Sequence, residues 1–249
     1  MKIVVNPLYN DLQGWLERLP DSFNHDGETI YTGRNLIKVM TTPLGRLVNV
    51  KRYHAPRGVN SLVYSMGMRK PKGQRAFEYP AILKAKGIET PEAIAYIEQR
   101  RYGLLRECFL ITEQCPYEHT MYEMGNAPEG SYEALAEAFA LYTAHMHDRQ
   151  VMHRDYSPGN ILWTDAGDDY HFSIVDINRM YFGPVSMQQG CQDLCRLWGP
   201  KRFFLMVVRH YARIRGFDVV EAERIALSKR AAFWKRFGRK HTIKFKLEL

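Results

Sequence analysis

A chain of 249 residues, 45% of them hydrophobic, is long enough to bury a substantial core as one two-lobed domain or two small ones. Its longest wholly apolar run, Phe203 to Val208, is far short of the roughly twenty residues a bilayer crossing needs, and an opening of one lysine, a short apolar run and Asn6-Pro7 is no signal peptide, so a cytoplasmic protein is expected. Cys108, Cys115, Cys191 and Cys195 form no C-x-x-C pair and have no histidines at ligand spacing, which argues for reduced structural thiols over disulfides or zinc, while the formal net charge of +8 points to anionic partners.

In chain order, residues 2–5 are strand-like, and Leu8, Leu12, Trp15, Leu16 and Leu19 have the spacing of an amphipathic helix that Pro20 should end. Short strands follow at Thr29 to Thr32, Leu36 to Thr41 and, after the Pro43-Leu44-Gly45 turn, Arg46 to Tyr53, which together predict an antiparallel meander. The basic stretch from about His54 to Gly73, with Arg57, Arg69, Lys70 and Lys72, reads as a flap. Gln74 to Gly87 reads as a helix whose only acid is Glu78 and in which Pro80 implies a late start or a bend. Two more strands are expected at Ala93 to Gln99 and Leu104 to Glu113, then a helix from Tyr132 to Asp148 capped by Ser131. His145 and His147 near its end fit packing or capping better than a metal site. The remainder is helical: Cys191 to Trp198, Lys201 to Arg215 and Val219 to Phe237.

The segment between the two helical regions carries the chemistry. Val151 to Leu162 contains His153-Arg154-Asp155 and, five residues after the aspartate, Asn160, the H-R-D-x-x-x-x-N arrangement of a phosphoryl-transfer loop. An acid beside the acceptor hydroxyl can orient it and take its proton, and an amide oxygen on the next turn can hold a metal ion. Sixteen residues beyond Asn160 an apolar run ends in Asp176, the position for a second metal ligand. It is followed by Ile177-Asn178 rather than Phe-Gly, so the glycine that permits large backbone flips is absent and Asp176 reads as a fixed ligand. His153 and Arg154 read as supports of the loop. Asp193 either braces it by accepting backbone hydrogen bonds or is a surface helix acid.

Given that loop, Lys51 at the end of the third meander strand is the candidate for bridging the α- and β-phosphates of ATP, though a strand-end lysine is also an ordinary exposed residue. Glu78 is either its helical ion-pair partner or an exposed acid. The turn at Tyr31 to Asn35 holds one glycine, Gly33, where a phosphate-covering loop usually has three; an ordinary hairpin explains it equally well. Cys108 to Pro116 fits a hinge in which the backbone of Glu113 and Cys115 would bind adenine.

The ordered set Lys51, Glu78, Thr112-Glu113, His153-Arg154-Asp155, Asn160, Asp176 and Gln192-Asp193-Leu194 resembles the lipopolysaccharide kinase family, which phosphorylates Kdo or heptose sugars of the lipopolysaccharide inner core. Arg75-Ala76-Phe77-Glu78 and Gly87-Ile88-Glu89-Thr90-Pro91 are similar to further family motifs, and the likeness covers roughly residues 28–200. The single-glycine loop and Asp176-Ile177-Asn178 depart from the pattern.

The resemblance implies an α+β, two-lobed protein-kinase-like fold, with a small antiparallel-sheet N-lobe over residues 1–115 and a mainly helical C-lobe over 116–249. It also implies ATP and Mg²⁺ as cofactors and a sugar or glycolipid acceptor. An atypical Ser/Thr protein kinase and a nucleotide-binding pseudokinase scaffold are the alternatives. The basic stretch from Lys235 to Lys246, with Phe237 and Phe245 as shallow apolar contacts, suits an anionic membrane surface on the inner face of the cell membrane. Nucleic acid would attract the same tail, but no specific nucleic acid is expected.

Overall fold

The computed structural model describes residues 1–33, 35–54, 70–167 and 169–249. Most of the expected basic flap, with Arg57 and Arg69, lies outside the described residues. The chain divides into two compact units, Met1–Pro116 and Tyr117–Leu249.

The first unit is built on a six-stranded antiparallel sheet of order β1-β5-β6-β4-β3-β2. Its strands are β1 (Lys2–Val5), β2 (Glu28–Thr32), β3 (Asn35–Thr41), β4 (Leu47–Tyr53), β5 (Ala93–Arg101) and β6 (Leu104–Glu113). Alternation along β4 decides what each face does. Val48 and Val50 are fully buried in a cluster with Leu16, Leu19 and Phe23, each such side chain contributing about 1.5–3 kcal/mol. The intervening register turns Lys51 and Tyr53 to the opposite face, where Tyr53 joins Ala76, Tyr96, Cys108 and Leu110.

Two prolines expected to shape helix ends lie inside helices instead. A 3₁₀ segment, Pro7–Leu12, leads into α1 (Gln13–Ser22), which runs through Pro20. A proline this close to the C-terminus deletes one backbone bond, and the complete burial of Leu16, Leu19 and Phe23 outweighs it. Likewise α2 (Lys72–Ala85) starts two residues early and continues through the buried Pro80. It stops where expected: Gly87 takes φ +65°, letting its N–H reach Lys84 O and the Ile88 N–H reach Leu83 O, both at 2.9 Å.

The second unit is mainly helical, with α3 (Glu133–Asp148), α4 (Met187–Leu194), α5 (Lys201–Ile214) and α6 (Val219–Gly238). Two small sheets join them, β10-β9-β7 and β11-β8, from β7 (His119–Thr120), β8 (Val151–Met152), β9 (Ile161–Asp165), β10 (Tyr170–Ile174) and β11 (Tyr181–Phe182). Ser131 does not cap α3. Its hydroxyl donates to Pro128 O, and the Glu133 carboxylate accepts from the Tyr132 and Gly130 N–H groups instead. Helix α4 begins earlier than its apolar pattern suggests because Ser186 and Gln189 form a capping box. None of the four cysteines is in a disulfide.

The C-terminal segment corrects the expectation of a wholly exposed basic tail. Phe245 is only 7% exposed, stacked on Trp198 at 4.9 Å and edge-on to Trp234 at 5.1 Å, so it is a core residue and no membrane contact. Arg230 of α6 is buried beneath it and donates to Leu197 O and Gly199 O, tying α6 to the segment that follows α4. Burial pushes that guanidinium down to about 10, still charged at neutral pH. No helix among the described residues is long and apolar enough to cross a membrane.

Phe245→Ala should therefore cost about 3 kcal/mol of stability through the cavity it leaves. The change is read as a lowered urea midpoint in tryptophan fluorescence, and an unshifted midpoint would return Phe245 to the surface.

Candidate active site

In the helical unit the H-R-D loop hangs from strand β8, which pairs with β11 through Met152 and Tyr181. From below, one buried carboxylate fixes it. Asp193 of α4 accepts the His153 N–H on Oδ2 at 3.0 Å and the Arg154 N–H on Oδ1 at 2.8 Å. Sequence reasoning left Asp193 between loop brace and surface acid; its near-complete burial and these two bonds make it a brace. His147 Nε2 lies 3.5 Å from Asp193 Oδ2, and its Nδ1 meets the Tyr211 hydroxyl at 2.9 Å, so His147 has a packing role.

His153 closes the loop onto the downstream acid. Its Nε2 lies 2.9 Å from Val175 O, and its Nδ1 is 3.3 Å from the Asp155 N–H. A carbonyl can only accept and an amide can only donate, so the ring proton sits on Nε2. Arg154 pays for this geometry with φ +63°, a conformation costing a non-glycine residue of order 1 kcal/mol.

The loop brings Asp155, Asn160 and Asp176 into one neighbourhood. Asn160 Nδ2 donates to Asp155 O at 2.8 Å, and the Val175 N–H donates to Asn160 O at 3.0 Å, which joins the residue before Asp176 to the loop. Asp176 adopts φ +56° and its Oδ1 accepts from Asn178 Nδ2 at 2.6 Å. With the Asn160 amide nitrogen spent on backbone, Asn160 and Asp176 present hard oxygens, the donor type that suits Mg²⁺. Asp155 has a half-buried carboxylate, 18% exposed, held by Arg179 Nη1 on Oδ2 at 3.0 Å and by Arg196 Nη1 on Oδ1.

In the sheet unit Lys51 is buried on β4, its Nζ 5.2 Å from the Tyr53 ring centroid. It is not an exposed strand-end lysine. Glu78 stands on α2, which covers that face, and its carboxylate takes Lys70 Nζ at 2.7 Å and Gln74 Nε2 at 3.0 Å. Gly33 sits in the exposed β2–β3 turn, where an added Cβ would run into the Tyr31 hydroxyl. At the end of β6 the Glu113 N–H bonds to Glu92 O and the Gln114 N–H to Leu47 O, while the Glu113 carboxylate accepts from the Tyr9 hydroxyl at 2.8 Å. Burial and that carboxylate raise the Tyr9 hydroxyl above its usual range. Cys115 follows on the same strand exit, its carbonyl accepting from Gln114 Nε2.

Three site residues escaped sequence reasoning. Arg179 and Arg196 are single arginines in a chain rich in them, and only their spacing, three residues past Asp176 and three past Asp193, could have drawn attention. Asn178 was read as a departure from Phe-Gly; it is the group that pins Asp176.

Among solved structures the chain is similar to "WaaP in complex with acyl carrier protein", at 20% identity, covering 97% of this chain and 100% of that one with a TM-score of 0.59. It is also similar to a streptomycin-ATP-APH(2")-IIa ternary complex, at 14% identity over 90% of this chain and 92% of that one, TM-score 0.51. The Rio2 kinase from Chaetomium thermophilum aligns at 14% identity over 94% of this chain and 80% of that one, TM-score 0.51. At these identities the likeness is one of fold, the two-lobed protein-kinase-like fold. No curated protein sequence matches. The family model described as Lipopolysaccharide kinase (Kdo/WaaP) family matches residues 32–197, more than half of the chain and the whole stretch from Gly33 to Arg196, and the chain belongs to that family of phosphotransferases.

Proposed function

We propose that this protein transfers the γ-phosphoryl group of ATP to a hydroxyl of a sugar or glycolipid, with Kdo or heptose of the lipopolysaccharide inner core as acceptor. The observation that carries the reading is the convergence of Asp155, Asn160 and Asp176 on one loop braced by Asp193. The acceptor oxygen attacks the γ-phosphorus and forms the new O–P bond. The bond to the β-phosphate oxygen breaks with its electron pair leaving on ADP, and the hydroxyl proton passes to Asp155. Bound at Asn160 and Asp176, Mg²⁺ would offset the phosphate charge.

The remaining candidates hold the nucleotide in this reading. Lys51 bridges the α- and β-phosphates, and its burial beside an aromatic ring restricts it to few rotamers. Glu78, whose carboxylate is held by Lys70 and Gln74, is the acid that would exchange these partners to steady it, the Gly33 turn lies over the phosphates, and the backbone at Glu113 and Cys115 takes adenine. The Glu113 and Gln114 N–H groups are already bonded, and the Glu113 and Cys115 carbonyls already accept from Thr112 Oγ1 and Gln114 Nε2, so adenine would share this backbone with those partners. Residues 1–115 then serve as the nucleotide-holding lobe and 116–249 as the catalytic and acceptor-holding lobe.

A cytoplasmic enzyme on the inner face of the membrane remains the proposed location. The exposed Lys235, Arg236, Arg239, Lys240, Lys244 and Lys246 support attraction to an anionic surface, without help from Phe245. The similar structure solved with an acyl carrier protein makes such a carrier a second candidate partner.

Labelled phosphate from Mg-ATP should reach Kdo-lipid A or heptosylated core fragments in preference to peptides. Asp155→Asn should lower kcat by about 10²–10⁴ while nucleotide affinity stays within about threefold. Turnover that survives this change would remove Asp155 from the role of base, and nucleotide binding with no transfer at all would leave a scaffold. Asp193→Asn should behave differently, losing about 2 kcal/mol of stability along with at least a tenfold drop in kcat, because two backbone donors lose a charged acceptor. Denaturation and kinetics on the same variant check this, and an intact midpoint would show that Asp193 does not hold the loop.

A further inference from the structure

We infer that Arg179 and Arg196 form an anion-binding subsite for the acceptor, gripping a carboxylate or phosphate of the sugar beside the hydroxyl that Asp155 deprotonates. The inference rests on the phosphotransfer reading above and adds the chemical class of acceptor.

The charge count is the first ground. Two guanidiniums meet one carboxylate, so the cluster carries one positive charge that Asp155 does not balance. Donor count is the second. Each guanidinium has five N–H donors, and through a single nitrogen each reaches Asp155. The planar forks remain largely unspent, and they match the two oxygens of a carboxylate or phosphate.

Placement is the third ground. With one arginine on each oxygen, each Asp155 oxygen still has a lone pair, so an acceptor hydroxyl bonded to Asp155 lies beside both guanidiniums. An anion on the incoming sugar, next to that hydroxyl, would meet the N–H donors that the two arginines do not spend on Asp155. Mere positioning of Asp155 would need neither two cations nor the exposure they have. Arg179 is 46% exposed and meets nothing but Asp155 among the described residues; Arg196 is 27% exposed and braced by the Phe233 ring at 5.1 Å. Arg196 is the more enclosed jaw and Arg179 the more open one. Both are mounted on segments the site already uses: Arg179 follows Asp176, and Arg196 follows the brace Asp193, each by three residues.

The test pairs acceptors that differ only in charge: Kdo against its methyl ester, and a phosphorylated heptose against the same sugar dephosphorylated. Each is assayed with saturating Mg-ATP in wild type, Arg179→Gln, Arg196→Gln and the two Arg→Lys variants. Wild type should favour the anionic member of at least one pair by tenfold or more in kcat/KM, expressed in KM, and which pair shows it identifies carboxylate or phosphate. In the Gln variants that preference should collapse towards unity while KM for ATP holds, with Lys restoring part of it.

Equal losses on charged and neutral acceptors would overturn the subsite and leave the arginines as supports of Asp155, as would a wild type without preference. If no acceptor is labelled, calorimetric binding of free Kdo and of inorganic phosphate separates the two ideas. Arginine-dependent binding would keep the subsite and sink the phosphotransfer reading, and absence of binding would sink the subsite.

Discussion

The backbone of the H-R-D loop in the helical unit depends on one buried carboxylate. Asp193 is buried, which would be costly for an unpaired charge, and it is kept there by two amide donors from consecutive residues of the loop. Those bonds take up the N–H groups of His153 and Arg154, and the left-handed turn at Arg154 follows from them. The side chain of Asp155 is thereby set by backbone that cannot relax without stranding a buried charge. The same α4 segment then reaches forward three residues to place Arg196 against Asp155. A single short helix so governs both the backbone and the side-chain environment of the proposed base.

The sheet unit solves a different problem, the burial of a cation. Lys51 is paid for by register: the valines on either side of Asn49 are committed to the α1 face, so the odd positions of β4 must face α2. There an aromatic ring lies beside the ammonium group. In water a strand-end lysine is free to sample its rotamers, and here packing has removed most of that freedom.

How much of this was legible depended on whether the cause was local. The alternation of β4, the α6 periodicity and the spacing from Asp155 to Asn160 are properties of neighbouring residues, so they could be read directly. Asp193 was half legible, because its spacing was suggestive while its partners lie forty residues back in the chain. The prolines misled for the opposite reason. A local rule against proline was overridden by the distant burial of Leu16, Leu19 and Phe23 around α1, and α2 likewise runs through a buried Pro80. Phe245 was judged by its basic neighbours, whereas its fate is decided by Trp198 and Trp234. Arg179 and Arg196 have no local signature at all, since an arginine acquires meaning only from what its guanidinium meets.

The clamp on Asp176 has a pharmacological side. Some inhibitors of regulated kinases gain selectivity by waiting for the metal-binding aspartate to swing outward on a glycine hinge and then filling the space it leaves. Here the residue after Asp176 is a buried isoleucine, the next is a buried asparagine bonded back to the aspartate, and no glycine stands nearby to lower the barrier. A compound aimed at this enzyme would have to compete for the nucleotide or acceptor positions themselves. The bond from Asn178 and the burial of its neighbours oppose displacement of Asp176, and that gives one physical criterion for separating inhibitors of this enzyme from those of switchable kinases.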